Sequence, residues 1–265
     1  MKVFISADIE GTAGITSWPE AEPDKPDYAQ FQALMTAEVV AACEGALEAG
    51  ATEIVLKDAH NTGRNLLLDT LPAEVRIVRD WPGHPHSMMF GIDRDCAAAI
   101  YTGYHDAAGT DSNPLAHSFT GRIMRLTING ALASEFTVNA TTAAYLGVPS
   151  VFLSGDAGIC AAATALVPGI VTLPVSEGFG PATSSLSPAR SRALIRAGVT
   201  EALTDLGARN AAPLADRWEV ELEFATPVEA YRGSFFPGVD YPEPRTLRFE
   251  RDDWFEVLRT CRFLW

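Results

Sequence analysis

The stretch Val3-Phe4-Ile5-Ser6-Ala7-Asp8-Ile9-Glu10-Gly11 sets the reading of this chain. Val3 to Ala7 is a short apolar run of the kind that forms a buried strand. It ends in two acids two residues apart, so on extended backbone both carboxylates point the same way. Carboxylates packed at the end of an apolar strand repel each other and resist burial. No lysine or arginine stands inside the motif to neutralise them. A divalent cation is the economical partner.

The surrounding chain alternates strands with helices. Pro19, Pro23 and Pro26 mark a loop after the first strand. Asp27 with Gln30 makes a capping-box-like start to a helix whose apolar stripe is Phe31, Leu34, Met35, Val39, Cys43, Ala46 and Leu47, with Gly50 as its stop. Ile54 to Leu56 is the next strand, which completes a right-handed βαβ unit. Val75 to Val78, Ala97 to Thr102 and Val151 to Leu153 extend the series. Arg125 to Ile128 and Ala131 to Phe136 flank the turn dipeptide Asn129-Gly130 as a hairpin. Asn139 to Leu146 reads as helix. Ser187-Pro188 opens another helix, with Leu194, Ile195, Val199, Leu203 and Leu206 as its stripe and Gly207 as its close. After Pro213 the texture changes: Trp218 to Phe224 and Thr246 to Phe249 alternate polar and apolar residues, and Trp254 to Phe263 reads as a closing helix. The expected architecture is α/β. A Rossmann-like, mostly parallel sheet flanked by helices covers residues 1–207, and a smaller C-terminal α+β unit covers 208–265.

Three expected strands end in metal-binding side chains. Besides Asp8 and Glu10, the second ends Lys57-Asp58-Ala59-His60 and the third Thr102-Gly103-Tyr104-His105-Asp106. In an open α/β sheet the strand C-termini share one edge, where ligands bind. All five histidines, His60, His84, His86, His105 and His117, lie between positions 60 and 117. Imidazole combined with carboxylate suits zinc, manganese or cobalt better than magnesium or calcium. The excess of carboxylates over histidines suggests two metals bridged by one acid. Asp58 either ligates or orients His60, and the spacing leaves both open. His84-Pro85-His86 reads as an exposed loop outside the ligand set. By position alone, Glu135 is an exposed glutamate on the second arm of the hairpin.

Composition narrows the function classes. The 265 residues are 47% hydrophobic and 20% charged, which is ordinary globular composition and not that of a disordered chain. The net charge of −14 and the lack of a basic run speak against nucleic acid. Cys43, Cys96, Cys160 and Cys261 are far apart with no CxxC pair, which argues against a disulfide framework and a thiolate zinc site. The first residues are too briefly apolar for a signal peptide or a membrane span, so a cytoplasmic location is expected. Gly178-Phe179-Gly180 meets Thr183 where a dinucleotide loop needs its third glycine. HExxH, phosphate-loop and GxSxG motifs are absent.

In order and spacing, Ser6-Ala7-Asp8-Ile9-Glu10-Gly11, Asp58-Ala59-His60, Gly103-Tyr104-His105, His117-Ser118, and Glu135 with Asn139 resemble the DppA-type D-aminopeptidases, dinuclear zinc peptidases. The resemblance runs over nearly the whole chain and is carried by motif up to Pro213. It implies that Asp8, Glu10 and His60 hold one Zn2+, that Asp8, His105 and Glu135 hold a second, and that Asp8 bridges them. It also implies that His117 is catalytic. The expected reaction is removal of the N-terminal residue from short peptides, with D-amino acids (D-Ala-D-Ala type), by water activated between two metals. The expected assembly is a decamer of two stacked pentameric rings. Ala116 stands where a serine can precede the catalytic histidine, which bears on substrate preference. The alternatives are another dinuclear metal amidase or hydrolase, and a non-catalytic metal- or ligand-binding α/β protein. Neither a nucleic acid nor a membrane partner is expected.

Overall fold

The computed structural model describes residues 1–206 and 211–265. The chain begins with β1 (Lys2–Ala7), α1 (Trp18–Ala21), α2 (Tyr28–Glu48), β2 (Glu53–Asp58), β3 (Val75–Val78) and β4 (Ala98–Tyr104). It continues with β5 (Ile123–Ile128), β6 (Ala131–Leu132), α3 (Glu135–Tyr145), β7 (Ser150–Asp156), α4 (Ala157–Leu166), β8 (Val171–Phe179), β9 (Ala182–Ser185) and α5 (Pro188–Thr204). It closes with β10 (Trp218–Phe224), α6 (Pro227–Gly233), β11 (Asp240–Glu243), β12 (Thr246–Arg251) and α7 (Trp254–Leu264).

A seven-stranded sheet in the order β3-β2-β1-β4-β7-β8-β9 forms the centre. Its pairs are parallel except β8 with β9. The chain runs outward from β1 through β2 to β3, then returns to β4 on the other side. The order therefore reverses between β1 and β4, where a ligand crevice forms in such sheets. The period of two in β1 sorts its side chains. Val3, Ile5 and Ala7 pack with Val39, Cys43 and Ile195 of α2 and α5, while Phe4 joins Tyr101, Phe136 and Ile159 on the opposite face. Two apolar layers thus clamp one sheet, the arrangement expected from the sequence.

The second sheet, β11-β12-β10-β5-β6, is antiparallel and packs with α6 and α7 over its own core of Val220, Leu222, Phe249 and Trp254. It draws β5 and β6 from the middle of the chain, so its strands come from both sides of the boundary expected at residue 207. That boundary, and the helix stop expected at Gly207, lie outside the described residues. Among the described residues no helix is long and apolar enough to cross a membrane.

Local expectations are corrected in three places. The second hairpin arm stops at Leu132, and Glu135 is the first residue of α3, because Ser134 caps that helix by accepting from Thr137 N at 3.1 Å. Asp27 precedes α2 without any side-chain capping bond. The proline-marked loop contains the one-turn helix α1, whose Glu20 carboxylate accepts from Thr16 N and Ser17 N at 2.6 and 3.0 Å.

The tips of β1 and β4 touch backbone to backbone. Asp8 N donates to Thr102 O at 2.9 Å and Gly11 N to Gly103 O at 2.8 Å. A Cβ on Gly11 would lie 1.8 Å from Tyr104 O, and one on Gly103, whose φ is +69°, would lie 2.1 Å from Asp8 O. These two glycines are what allows the two acid- and histidine-bearing tips to meet. Gly103→Ala is expected to cost about 2–5 kcal/mol from combined strain and overlap, read as a lowered urea midpoint. An unchanged midpoint would show that the crossing relaxes freely.

Glu38 lies buried between α2 and α5. Its Oε1 accepts from Ser191 Oγ at 2.7 Å and Ala13 N at 3.1 Å, while Oε2 has no hydrogen-bond partner. Burial pushes its carboxyl up to about 7 against the pull of those donors. The folded chain therefore holds this proton more tightly than the unfolded chain, whose glutamate titrates near about 4.3. The associated stability is complete below that value and is lost as pH rises to about 7. Glu38→Gln removes this loss, on the order of 3 kcal/mol. Urea unfolding should show the variant gaining on the parent between pH 5 and pH 8, and a pH-independent difference would refute the assignment.

Candidate metal centre

Asp8 and Glu10 follow β1, His60 follows β2 and His105 follows β4, so three parallel strands deliver four side chains to one edge. Glu135 arrives from the opposite side on the first turn of α3. His117 comes from the long loop between β4 and β5. All six are brought together, and the five expected ligands are almost wholly buried. Glu135 is not the exposed strand residue its position suggested.

The contacts form one continuous chain. His60 Nδ1 lies 3.3 Å from Asp8 Oδ1 and 3.2 Å from Glu10 Oε2. His105 Nε2 lies 3.6 Å from Asp8 Oδ2 and 3.5 Å from Glu135 Oε2. His117 Nε2 lies 3.6 Å from Glu135 Oε1, and its ring stacks on His105 with centroids 4.2 Å apart. The Asp8 carboxylate therefore faces both histidine groups with separate oxygens.

Backbone carbonyls dictate the histidine tautomers. A carbonyl only accepts, so the nitrogen facing it carries hydrogen. His60 Nε2 donates to Ala21 O at 2.7 Å, His105 Nδ1 to Asp106 O at 3.0 Å, and His117 Nδ1 to Leu115 O at 3.0 Å. In each neutral ring the other nitrogen then turns its lone pair toward carboxylate oxygens. Lone pairs facing lone pairs repel unless something positive stands between them. Glu10 Oε2 and His105 Nε2 are buried with no hydrogen-bond partner. Outer nitrogens fixed on carbonyls are the usual support of metal-ligating histidines.

Donor spacing supplies a second test. Zinc holds nitrogen and oxygen ligands at about 2.0–2.2 Å in tetrahedral sites, which puts neighbouring donors roughly 3.3–3.6 Å apart. The contacts above run from 3.2 to 3.6 Å. Asp8, Glu10 and His105 form one close donor group, and His105, His117 and Glu135 another. The two groups share His105 and leave His60 outside, and their donor chemistry and spacing fit metal binding at this edge.

Electrostatics agrees. Burial and the Glu10 carboxylate push the Asp8 carboxyl well above the usual range. Burial opposes a charge on His60, but Glu10 and Asp8 outweigh it and hold its pKa well above the ordinary value. Glu135, Glu10 and Asp8 do the same to His105 against its burial. Protons are thus the competitors of a cation here. His117 differs: burial and the neighbouring His105 pull its pKa down.

The surroundings explain several other motif residues. Ser6 Oγ and Tyr104 OH are 2.7 Å apart, and Asn139 Nδ2 donates to Tyr104 OH at 2.9 Å, which ties β1, β4 and α3 together behind the donors. Asp58 neither faces the donors nor touches the His60 ring. Its oxygens accept from Asn65 N, Asn65 Nδ2 and Leu66 N at 2.5, 2.8 and 2.9 Å, and it is fully buried. It fixes the loop that carries His60, and the reading of Asp58 as a ligand falls away. His84 and His86 are half-buried against Phe255, not exposed. The sequence reading missed Asn113, whose amide donates to Glu10 O and Asp156 Oδ2 at 3.1 Å each. It also missed α1, which supplies the Ala21 carbonyl. Neither carries a spacing signal, because the Asn113 amide and the Ala21 carbonyl meet partners distant in sequence.

The donors form the floor of a cleft of about 490 Å³. Trp18, Trp81, His84, Phe119 and Trp265 give it partly aromatic walls. Phe119, at φ +61°, donates its N–H to Glu135 Oε1 at 2.6 Å and stacks on Trp265 at 4.2 Å.

Comparison with known proteins agrees with this geometry. The family described as D-aminopeptidase, a peptidase family, matches residues 1–263. A D-aminopeptidase of Bacillus subtilis (strain 168) is 28% identical over 259 residues, covering 97% of this chain and 94% of the relative. The solved structure of the Zn-dependent D-aminopeptidase DppA from Bacillus subtilis, a self-compartmentalizing protease, superposes with a TM-score of 0.93 at 27% identity, covering 98% of this chain and 95% of that one. With its family match spanning almost the full length, the chain belongs to the D-aminopeptidase family and is a hydrolase of peptide bonds.

Proposed function

We propose that Asp8, Glu10 and His60 hold one zinc ion, that Asp8, His105 and Glu135 hold a second, and that the protein removes N-terminal D-residues from short peptides. The observation that carries this reading is the buried run of donors spaced 3.2–3.6 Å apart around Asp8. Manganese or cobalt would fit the same donors. When bound, the two ions lower the pKa of water and polarise the scissile carbonyl.

The chain's own groups do the rest. His117 has its Nδ1 fixed on Leu115 O, which leaves Nε2 as a proton acceptor at the cleft floor. Its lowered pKa keeps it neutral at neutral pH. It takes the proton of the attacking water and gives it to the amine nitrogen as the C–N bond breaks. Trp18, edge-on to His117 at 5.2 Å, limits the motion of the ring. The acidic chain favours approach of the cationic substrate amine.

Assembly into two stacked pentameric rings is part of the same proposal, supported by the self-compartmentalizing nature of the Bacillus subtilis relative. So is a cytoplasmic location, supported by four buried, unpaired cysteines. Native mass spectrometry would give ten copies of the 28.4 kDa chain.

A second reading makes His117 a ligand, because it shares a close donor group with His105 and Glu135. One variant separates the two. His117→Ala should keep two metals per chain in elemental analysis and lower D-Ala-D-Ala turnover by about 10²–10⁴-fold. Loss of one metal would assign it as a ligand instead. Chelation of the parent protein should abolish cleavage and zinc restore it. Cleavage that survives complete chelation would end the metallopeptidase reading.

A further inference from the structure

The cleft above the donors carries cationic groups that the proposed chemistry does not use. Arg122 and Arg262 both line it. In a chain of net charge −14, most cleft-distant arginines of the second sheet are neutralised: Arg217, Arg245 and Arg248 each pair with a glutamate. On α7 itself, Arg259 pairs with Glu256. One turn further along, Arg262 has no ion pair among the described residues. Arg122 is exposed, and its Nε donates to Thr120 Oγ1 at 3.2 Å. Arg262 is half-buried, and its Nη2 would lie 3.9 Å from a Cβ placed on Gly83, itself a residue of the cleft wall. Its head group therefore stands at the cleft, backed by a residue without a side chain.

A guanidinium with no ion pair, half-buried in the wall of a cleft, offers its donors to a negative group of whatever the cleft binds. A short peptide brings such a group. Its free amine suits the acidic floor, and its α-carboxylate lies about 7 Å away in a dipeptide, at roughly 3.5 Å per residue. We infer that Arg262 binds the free α-carboxylate of a short peptide substrate in this cleft. The planar guanidinium meets a carboxylate with two parallel hydrogen bonds, a geometry that lysine cannot reproduce. The inference rests on the peptidase reading above and deepens it. A merely structural account is available, since a basic residue in the last turn of α7 also complements the helix dipole. Lysine serves that purpose as well as arginine does.

The test compares D-Ala-D-Ala with its C-terminal carboxamide as substrates of the zinc-loaded protein. The parent protein should prefer the free acid. In Arg262→Met the ratio of kcat/KM, free acid over carboxamide, should fall by about tenfold or more through KM of the free acid. Arg262→Lys should fold with the parent's thermal midpoint yet show an intermediate ratio. A parent protein that cleaves both peptides, with a ratio unchanged in Arg262→Met, overturns this inference alone. A parent protein that cleaves neither overturns the peptidase reading and this inference with it. Equal loss toward both peptides in Arg262→Met and full recovery in Arg262→Lys would assign Arg262 to the helix terminus, against the proposal.

Discussion

Three carboxylates, Asp8, Glu10 and Glu135, are buried around two imidazoles, His60 meeting Asp8 and Glu10, and His105 meeting Asp8 and Glu135. Two like charges 4 Å apart cost about 4 kcal/mol even at an effective dielectric of 20, and burial adds to that cost. A fold that keeps such groups together must supply positive charge among them. Lys57, buried on β2, spends its ammonium elsewhere, on the carbonyls of Asp58 and Asp80 at 2.7 and 2.9 Å and over the Trp81 ring. What remains is a cation, or protons on the histidines. The need to neutralise this cluster explains much of the surrounding architecture.

The architecture meets that need by fixing donors before any ligand arrives. Parallel strands aim three tips at one edge, and glycines at positions 11 and 103 let two tips cross in contact. Carbonyls of Ala21, Asp106 and Leu115 set the orientation of each imidazole. Asp58 and Asn113 hold the loops that carry His60 and Glu10. Positioning spread over backbone atoms tolerates sequence change away from the donors, consistent with a fold kept closely at 27% identity.

The second sheet adds the wall to this floor. Phe119 reads both layers at once, because its N–H binds Glu135 and its ring stacks on Trp265 beyond α7. Residues 123–132 cross into the antiparallel sheet immediately after the His117 loop. The loop is thereby held at both ends, by β4 in one sheet and β5 in the other. A cleft between two packed layers can vary its mouth while the donors stay fixed.

Much was legible because strands and metal chemistry both leave local signatures. The apolar runs of β1, β2, β3 and β4 gave the parallel sheet, and acids or histidines at the ends of β1, β2 and β4 gave Asp8, Glu10, His60 and His105. Glu135 and His117 were placed in the site only by family resemblance. Glu135 reads locally as a strand residue, and only the Ser134 cap turns it into the first turn of a helix facing the donors. Asp58 carried the same signature as a ligand and proved to be a loop anchor, since spacing does not tell which way a carboxylate turns. The chain itself determined which groups could bind cations and on which edge they would gather, because periodicity and strand order are properties of short segments. The tertiary structure alone decided which nitrogens point inward, which acid is spent on backbone amides, and that Arg262 shares a cleft with Asp8. Those outcomes depend on contacts between residues far apart along the chain, and no local pattern records them.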